Sequence, residues 1–348
     1  MDLEKENRWP IVLPLYDDEV LSSWIIRNSI ANGSDPISFT GALWNNWRCW
    51  SIDIDTSISI TQLSILSKAS KISIKKLYTA TLKPFKSDTK KTMYQSWIIP
   101  LGSRNRVKTN GYFFCSECIK ENRSYMKRGW RFAWSISCSK HKILLSQACP
   151  KCNFPFSPHL IKYYATSTRH CQHCGYDLAN SKNVRVKNSL FNFQENLDNA
   201  ATPFLLNTNT YNEQLLLLRT LITFIQRSIS RPKSFNNFLK EMSISEKIDL
   251  SHFPFERKSI EERYLILNIL TKICLMTLNE LISTLKKSKV TKTMFIQQTV
   301  SCPTIEHIVR KLSHSGKPRK VKAFIKNQSC PTPEHIVDDM MIEILDML

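Results

Sequence analysis

The sequence has little glycine, few acidic residues and no long apolar run. Glycine occurs 7 times in 348 residues, and no G-x-G-x-x-G or G-x-x-x-x-G-K motif is present, which argues against the common phosphate-binding loops. The best apolar run, Leu215–Ile225, contains Arg219 and is too short to span a membrane. The first residues are acidic and lack an apolar signal core. We therefore expect a cytoplasmic protein with no membrane partner.

Cysteine, by contrast, is frequent and patterned. The count of 11 is odd and fits a disulfide framework poorly. Four Cys-x-x-Cys or Cys-x-x-His pairs follow one another, and zinc binds four such ligands in a tetrahedron. In order, they give a C-x2-C-x19-C-x2-H set and a C-x2-C-x18-C-x2-C set: Cys115, Cys118, Cys138, His141, and Cys149, Cys152, Cys171, Cys174. The spacing predicts two structural zinc ions, each closed by four protein ligands.

Other ways of using these residues stay open at this point. The four pairs could interleave, so that the first shares a metal with the third and the second with the fourth. Three further histidines lie close enough to replace a ligand: His159, His170 and His173. A third metal site could also form from two Cys-x4-His units, Cys302/His307 and Cys330/His335.

The charge is strongly positive. Lys and Arg number 49 against 29 Asp and Glu, a formal net charge of +20. Seven zinc-bound thiolates and two Zn²⁺ change the sum by −7 and +4, which leaves +17. We expect an anionic partner, of which nucleic acid is the commonest. The alternative is a basic surface that serves only solubility.

Apolar residues recur at helical spacing on both sides of the cysteine-rich segment. The pattern predicts helices over Asp18–Gly33, after Asp35, over Glu213–Ile229 and over Ile260–Lys287. Two short helices, broken around 70–73, are predicted in Thr61–Leu82. This pair could be a helix-turn-helix or simply two packed helices.

We therefore predict a mainly α fold in three parts. Residues 1–110 form an N-terminal helical, helix-turn-helix-like domain. Residues 111–178 form a tandem zinc-ribbon module with β-hairpin knuckles, and residues 179–348 form a C-terminal helical domain that begins with a linker-like stretch.

The C-terminal part contains a short repeat. Ser301–Val309 recurs as Ser329–Val337, and each copy is predicted to start a helix with Thr304 or Thr332 as its N-cap. A basic segment lies between the copies, and an acidic amphipathic one follows the second. The two segments could form a dock with one side for nucleic acid and one for a protein.

Three blocks resemble the TniQ/TnsD family of transposon target-selection proteins. The first is similar to the family's P-x-x-x-E-x-L-x-S-W-x-x-R opening, the second to its C-x-x-C, W-R, C-x-x-H, L, C-x-x-C succession, and the third to its closing knuckle. The matching residues are Pro14, Glu19, Leu21, Ser23, Trp24 and Arg27 in the first block, Trp130, Arg131, His141 and Leu145 within the second, and Cys171 and Cys174 in the third.

The resemblance implies a non-enzymatic bacterial adaptor. Such proteins bind either attachment-site DNA or a CRISPR effector complex with its guide RNA, and then recruit an AAA+ ATPase and a transposase. The compact length is more like the members that serve CRISPR-associated transposons, and some members act as homodimers. The alternative is a DNA-binding transcription regulator of zinc-ribbon and helix-turn-helix type.

Basic residues near the zinc module and in the tail are the candidate contacts to nucleic acid or to a partner. They are Arg104, Arg106, Lys108, Lys127, Arg128, Arg131, Lys317, Arg319, Lys320, Lys322 and Lys326. Trp130 and Trp134 could stack on bases, but core packing beside the zinc corners is favoured.

Overall fold

The chain is mainly helical. The structure, a computed structural model, describes residues 8–85, 97–101, 111–199, 208–227, 232–244, 250–296 and 302–314. Within these ranges the regular structure is α-helix and 3₁₀-helix, and β-pairing occurs only as isolated bridges. The predicted mainly α fold is confirmed.

Five helices form the N-terminal part: α1 (Leu21–Ala31), α2 (Pro36–Leu43), α3 (Ile54–Ser57), α4 (Ile60–Ser70) and α5 (Ile74–Thr79). They enclose an apolar core to which helix α1 contributes Trp24 and helix α4 contributes Leu63 and Leu66. The chain is therefore folded here by the amphipathic pattern that the sequence shows.

The ends of these helices follow from local residues. Asp35 caps α2 by accepting from the Ser38 N–H at 2.9 Å, with Pro36 in the first turn. Ser59 and Gln62 form a capping box at the start of α4, and Lys71 ends that helix with a left-handed φ of 61°. Helix α5 starts at Ile74 and packs on α4, so the two predicted helices and the break between them are confirmed.

The cysteine-rich segment has little regular structure. Its only α-helix among the described residues of 111–187 is α6 (Ser116–Lys120), accompanied by 3₁₀ turns. The hairpins of the predicted ribbons are present as single antiparallel bridges, such as Ser137 with Leu144 and His170 with Asp177. Something other than strand pairing must therefore hold this segment.

Seven helices follow in the described part of residues 188–314, and three sequence expectations need correction there. The helices are α7 (Asn188–Asn199), α8 (Tyr211–Arg227), α9 (Pro232–Glu241), α10 (Ile260–Cys274), α11 (Leu278–Lys287), α12 (Lys292–Phe295) and α13 (Pro303–Lys311). Helix α7 lies in the stretch that was expected to open as a linker. Helices α10 and α11 replace the single helix expected over Ile260–Lys287, because Thr277 and Glu280 form a capping box that starts a new helix.

The third correction concerns the repeat. Helix α13 begins at Pro303, which takes the first helical position, and Cys302 is its N-cap. Thr304 therefore lies inside the first turn and is not the cap. The second copy of the repeat lies outside the described residues.

No single helix among the described residues is long and apolar enough to span a membrane. The pair α10 and α11 passes the test of length and composition only when the two are taken together, and they are bent by 116°. Both helices pack their apolar residues into the core.

A second and larger apolar core runs from the cysteine-rich segment through the C-terminal helices. Two polar side chains tie these parts together. Gln194 on α7 accepts from the backbone N–H groups of Ile136 and Ser137, both at 2.9 Å. Arg263 on α10 is buried and donates to the Ala133 carbonyl at 3.0 Å. The domain boundary expected at residue 178 remains a prediction, and this core crosses it.

Arg131 joins the N-terminal helices to the cysteine-rich segment. Its side chain is 2% exposed and donates to Asp53 Oδ2 at 2.5 Å and to Asp55 Oδ2 at 2.7 Å. Asp55 is fully buried and accepts from the N–H and the hydroxyl of Ser22, each at 2.8 Å. Burial raises the pKa of Asp55 to about 6, although Arg131 opposes the shift. Because both charges are buried, each depends on the other being present.

We expect the Arg131→Met variant to lose about 3–5 kcal/mol of unfolding free energy, because it leaves the buried Asp55 carboxyl without its cation. Urea denaturation of the zinc-loaded protein, followed by tryptophan fluorescence, measures the change. The matched control is Arg123→Met at an exposed position, where we expect a change within about 0.5 kcal/mol. Equal effects of the two substitutions would contradict this role of the ion pair.

Candidate metal centres and the surfaces around them

The first cluster consists of Cys115, Cys118, Cys138 and His141, whose ligand atoms lie within 4.8 Å of one another. Individual distances are 3.7 Å from Cys118 Sγ to Cys138 Sγ and 3.3 Å from Cys115 Sγ to His141 Nδ1. The three sulfurs are buried and the histidine is half-buried.

The second cluster consists of Cys149, Cys152, Cys171 and Cys174, again within 4.8 Å. The distance is 3.7 Å from Cys149 Sγ to Cys174 Sγ and also from Cys152 Sγ to Cys171 Sγ. All four are free thiols. The sequential pairing is thus confirmed, and the interleaved pairing is wrong.

Both clusters fit zinc. A tetrahedral ion with Zn–S bonds of about 2.3 Å places its sulfurs about 3.8 Å apart, and a Zn–N bond of about 2.0 Å shortens the S···N distance to about 3.5 Å. The observed distances match this geometry. Four protein ligands complete each shell, so these are structural zinc sites.

Three of the four corners share one backbone turn. In each, the N–H of the fourth residue after the first cysteine donates to that cysteine's carbonyl at 2.8–2.9 Å. The donor residues are Lys142, Asn153 and Gly175, and all have a left-handed φ between 53° and 69°. Gly175 and Asn153 suit that region by residue type, and a bound metal would offset the cost at Lys142.

His141 is oriented by a carboxylate. Its Nε2 lies 3.1 Å from Glu121 Oε1, while Nδ1 faces the sulfurs. A carboxylate on the outer nitrogen fixes the tautomer of a ligating histidine and makes it a better ligand. Sequence reasoning missed Glu121, although it lies only three residues after Cys118. The other nearby histidines belong to neither cluster.

Most residues of the N-terminal block are buried and linked by hydrogen bonds. Glu19 is fully buried and pairs with Arg27 Nη1 at 2.6 Å. It also accepts from the Ser23 hydroxyl at 2.8 Å, and Ser23 in turn accepts from the Met126 N–H at 2.9 Å. Trp24 is buried and donates from Nε1 to the Leu13 carbonyl at 2.9 Å. The block therefore serves to bind α1 to the cysteine-rich segment.

Eight of the predicted nucleic-acid contacts lie outside the described residues and stay predictions: Arg104, Arg106, Lys108, Lys317, Arg319, Lys320, Lys322 and Lys326. The expectation for Arg131 is corrected, because its guanidinium is buried between two carboxylates. Trp130 and Trp134 are core residues, 4% and 6% exposed, as favoured above.

Lys127 and Arg128 border a cleft of about 690 Å³ between the cysteine-rich segment and α7 and α8. Lys127 pairs with Asp18 at 2.9 Å, and Arg128 donates to the Thr79 carbonyl. Both are half-buried. Their charges are thus partly used inside the protein, and their contact with nucleic acid stays a prediction.

The surface of α4 and α5 is basic and lacks acids. Four lysines are exposed there: Lys68, Lys71, Lys75 and Lys76. No Asp or Glu occurs between residues 56 and 86. Only the lysine pair of α5 lies on the second helix of the unit, which is where a helix-turn-helix contacts DNA.

His159 lies in the loop between Cys152 and Cys171 and packs this loop against the N-terminal part. Its ring stacks on Trp50 at a centroid distance of 5.6 Å, and Trp50 donates to the Thr40 hydroxyl of α2 at 2.9 Å. The Nδ1 atom is buried without a hydrogen-bond partner. Burial lowers the pKa of His159 from 6.5 to about 4.

Comparison with known families gives one match. The model of the TniQ family matches residues 10–145. That segment starts just before the N-terminal block and ends after the first zinc cluster, so the second cluster lies beyond it. A search of curated proteins finds no match to the chain.

We expect Glu121→Gln to raise the rate or extent of zinc loss from the first cluster by about 10-fold or more, because the histidine loses its orienting carboxylate. Zinc release to a chromogenic chelator measures the effect, with one phase expected for each cluster. The phase that belongs to the second cluster should not change. Glu117→Gln, four residues earlier, is the matched control, since Glu117 pairs with Lys120 and not with a ligand. Release indistinguishable from that of the parent protein would refute the role of Glu121.

We expect acid to destabilise the protein through His159. Its folded pKa lies below its unfolded pKa, so the unfolded chain binds the proton first, and stability falls as pH drops from about 6.5 towards 4. Between pH 7 and pH 5 the loss from this residue is about 1–2 kcal/mol. The His159→Phe variant keeps the stacking but cannot titrate. Relative to the parent, the variant should therefore gain unfolding free energy as the pH falls from 7 to 5. A difference between the two proteins that stays the same at both pH values would argue against a role of His159 in acid destabilisation.

Proposed function

We propose that this chain, which belongs to the TniQ family, is the adaptor that selects the target site for transposition. Proteins of the family are non-catalytic and work in transposition complexes. In the proposal, the chain binds the target, then recruits an AAA+ ATPase and, through it, the transposase.

The observation that carries the proposal is that the matched residues form one interlocked unit. Ser23, which donates to Glu19, accepts from the Met126 N–H and so binds the N-terminal block to the cysteine-rich segment. Arg131 binds the N-terminal helices through Asp55. The zinc shells are completed by protein ligands and offer no position for a reacting water. A rigid unit with closed metal sites is suited to hold partners in register.

Two targets remain in the proposal, a CRISPR effector complex with its guide RNA or attachment-site DNA. The exposed lysines on α4 and α5 favour the second, because a basic helix pair of this kind is the usual device for reading duplex DNA. A homodimer is compatible with either target.

The first experiment is purification of the tagged full-length protein from its native host at moderate salt, with mass spectrometry of what co-purifies. We expect an AAA+ ATPase in either case. CRISPR effector subunits with guide RNA identify the RNA-guided type, and ATPase and transposase without an effector identify direct DNA reading. Recovery of neither set, with a promoter DNA bound instead, would replace the proposal with a transcription regulator.

The helix pair is tested separately by Lys75→Glu with Lys76→Glu. If DNA is read directly, this variant should lose site-specific binding in a gel-shift assay, because each reversed charge repels a phosphate. Lys286→Glu with Lys287→Glu on α11 is the matched control, since these lysines are equally exposed and lie outside the helix pair. If both variants lost DNA binding equally, the effect would come from the change in net charge and not from the helix pair.

A further inference from the structure

Two tyrosines at the tip of a tight turn are exposed and pack only against each other among the described residues. Ala165 donates its N–H to the Lys162 carbonyl at 3.0 Å, so Tyr163 and Tyr164 are the central residues of that turn. They are 69% and 74% exposed, and their rings contact each other edge to face at 5.4 Å. Turn centres favour glycine, proline, asparagine and aspartate, so neither the turn nor the core explains two large aromatic residues here.

The turn is held firmly at both ends. On one side Ile161 is buried, 5% exposed, and follows the His159 ring that stacks on Trp50. On the other, Thr168 is 6% exposed and donates its hydroxyl to the Ser124 carbonyl at 2.9 Å. The zinc corners at Cys152 and Cys171 enclose the whole loop. The two rings are therefore presented on a fixed base, and little order must be gained when they bind.

The segment that contains the turn is basic in sequence. Residues 122–176 contain 9 Lys and Arg and no Asp or Glu. Lys162, in the turn itself, is exposed, whereas Arg169 pairs with Asp177 at 2.6 Å. Exposed aromatic rings beside an exposed lysine match the chemistry of unpaired bases and their phosphates. In a duplex the base faces are already stacked, so the rings would find no free face.

We propose that the turn Lys162–Ala165 is a stacking site for a single-stranded nucleic acid, in which Tyr163 and Tyr164 stack on unpaired bases and Lys162 contacts a phosphate. The second zinc cluster is the rigid base of this site. The proposal depends on the surface of this chain and not on the assignment to transposition, so it stands or falls by a different experiment.

The test uses full-length, zinc-loaded protein and fluorescence anisotropy with labelled 20-nucleotide single strands of mixed sequence, as RNA and as DNA, and with the corresponding DNA duplex. We expect Tyr163→Ala with Tyr164→Ala to weaken single-strand binding about 10- to 100-fold, with the salt dependence unchanged because the rings neutralise no phosphate. Tyr163→Phe with Tyr164→Phe should bind within about twofold of the parent, since the stacking faces remain. Lys162→Ala should lower the slope of log Kd against log salt by about 0.7.

Phe253→Ala is the matched control, because Phe253 is a similarly exposed aromatic residue, 55% exposed, outside the loop. Zinc content and the unfolding midpoint verify that each variant is folded. Tighter binding of RNA or of DNA identifies the source of the strand, and either supports the proposal.

Three results would overturn it. One is that the parent protein does not bind single strands, and another is that the double alanine variant binds them as the parent does. The third is equal weakening of duplex binding. If the double alanine variant lost a protein partner in nuclease-treated purifications but still bound oligonucleotides, the turn would be assigned to protein docking instead.

Discussion

Coordination of zinc by thiolates fixes the backbone of the middle of the chain, from Gly111 to Lys187. Among the described residues this segment has one helix of five residues and otherwise turns and single bridges, so main-chain pairing supplies little of its order. A structural zinc site contributes about 10–16 kcal/mol of binding free energy at neutral pH, enough to hold Lys142 in a left-handed backbone conformation that its side chain disfavours. Loops of this segment place Trp130, Arg131 and Trp134 in the core, and loss of the metal would free those loops.

The rest of the fold is built onto that segment by buried polar contacts. Arg131 reaches the N-terminal helices through Asp55, Gln194 reaches it from α7, and Arg263 reaches it from α10. Burial lowers the pKa of Arg263 to about 10, which still leaves it charged at neutral pH. Contacts of this kind add little net stability, but they penalise any other arrangement because an unpaired buried charge is costly. They define how the N-terminal helices and the C-terminal helices sit on the cysteine-rich segment.

The sequence predicts the metal sites well because ligand spacing is a local property. Cysteine pairs two residues apart point to a common ion whatever surrounds them, and the closure of each site follows from counting four ligands. The short helices of 61–82 were also predictable, because Ser59 and Lys71 mark ends that depend on neighbours in sequence. The break between α10 and α11 was local too, since Thr277 and Glu280 form a capping box, but the continuous apolar pattern over Ile260–Lys287 concealed it.

The remaining features depend on contacts between distant residues. Arg131 looks like a surface cation until Asp53 and Asp55, more than 75 residues earlier, are seen to enclose it. Helix α7 lies in a polar stretch that resembles a linker, and it is a helix because Gln194 and Phe193 are buried against the cysteine-rich segment. Composition cannot reveal such partners, because it does not record which residues meet in the fold.

The same distinction decides where the positive charge can act. Arg27 and Arg131 form ion pairs with the buried carboxylates of Glu19 and Asp55. Lys127 pairs with Asp18. Pairing partly neutralises these side chains, whereas the lysines of α4 and α5 and the turn at Lys162 face solvent without an acid nearby in sequence. Because solvent-exposed charges are screened by salt and buried pairs much less so, exposed cations such as this second group would give an affinity for nucleic acid that falls with ionic strength. Thus the buried cations stabilise the arrangement of the fold, and the exposed lysines remain available to an anionic partner.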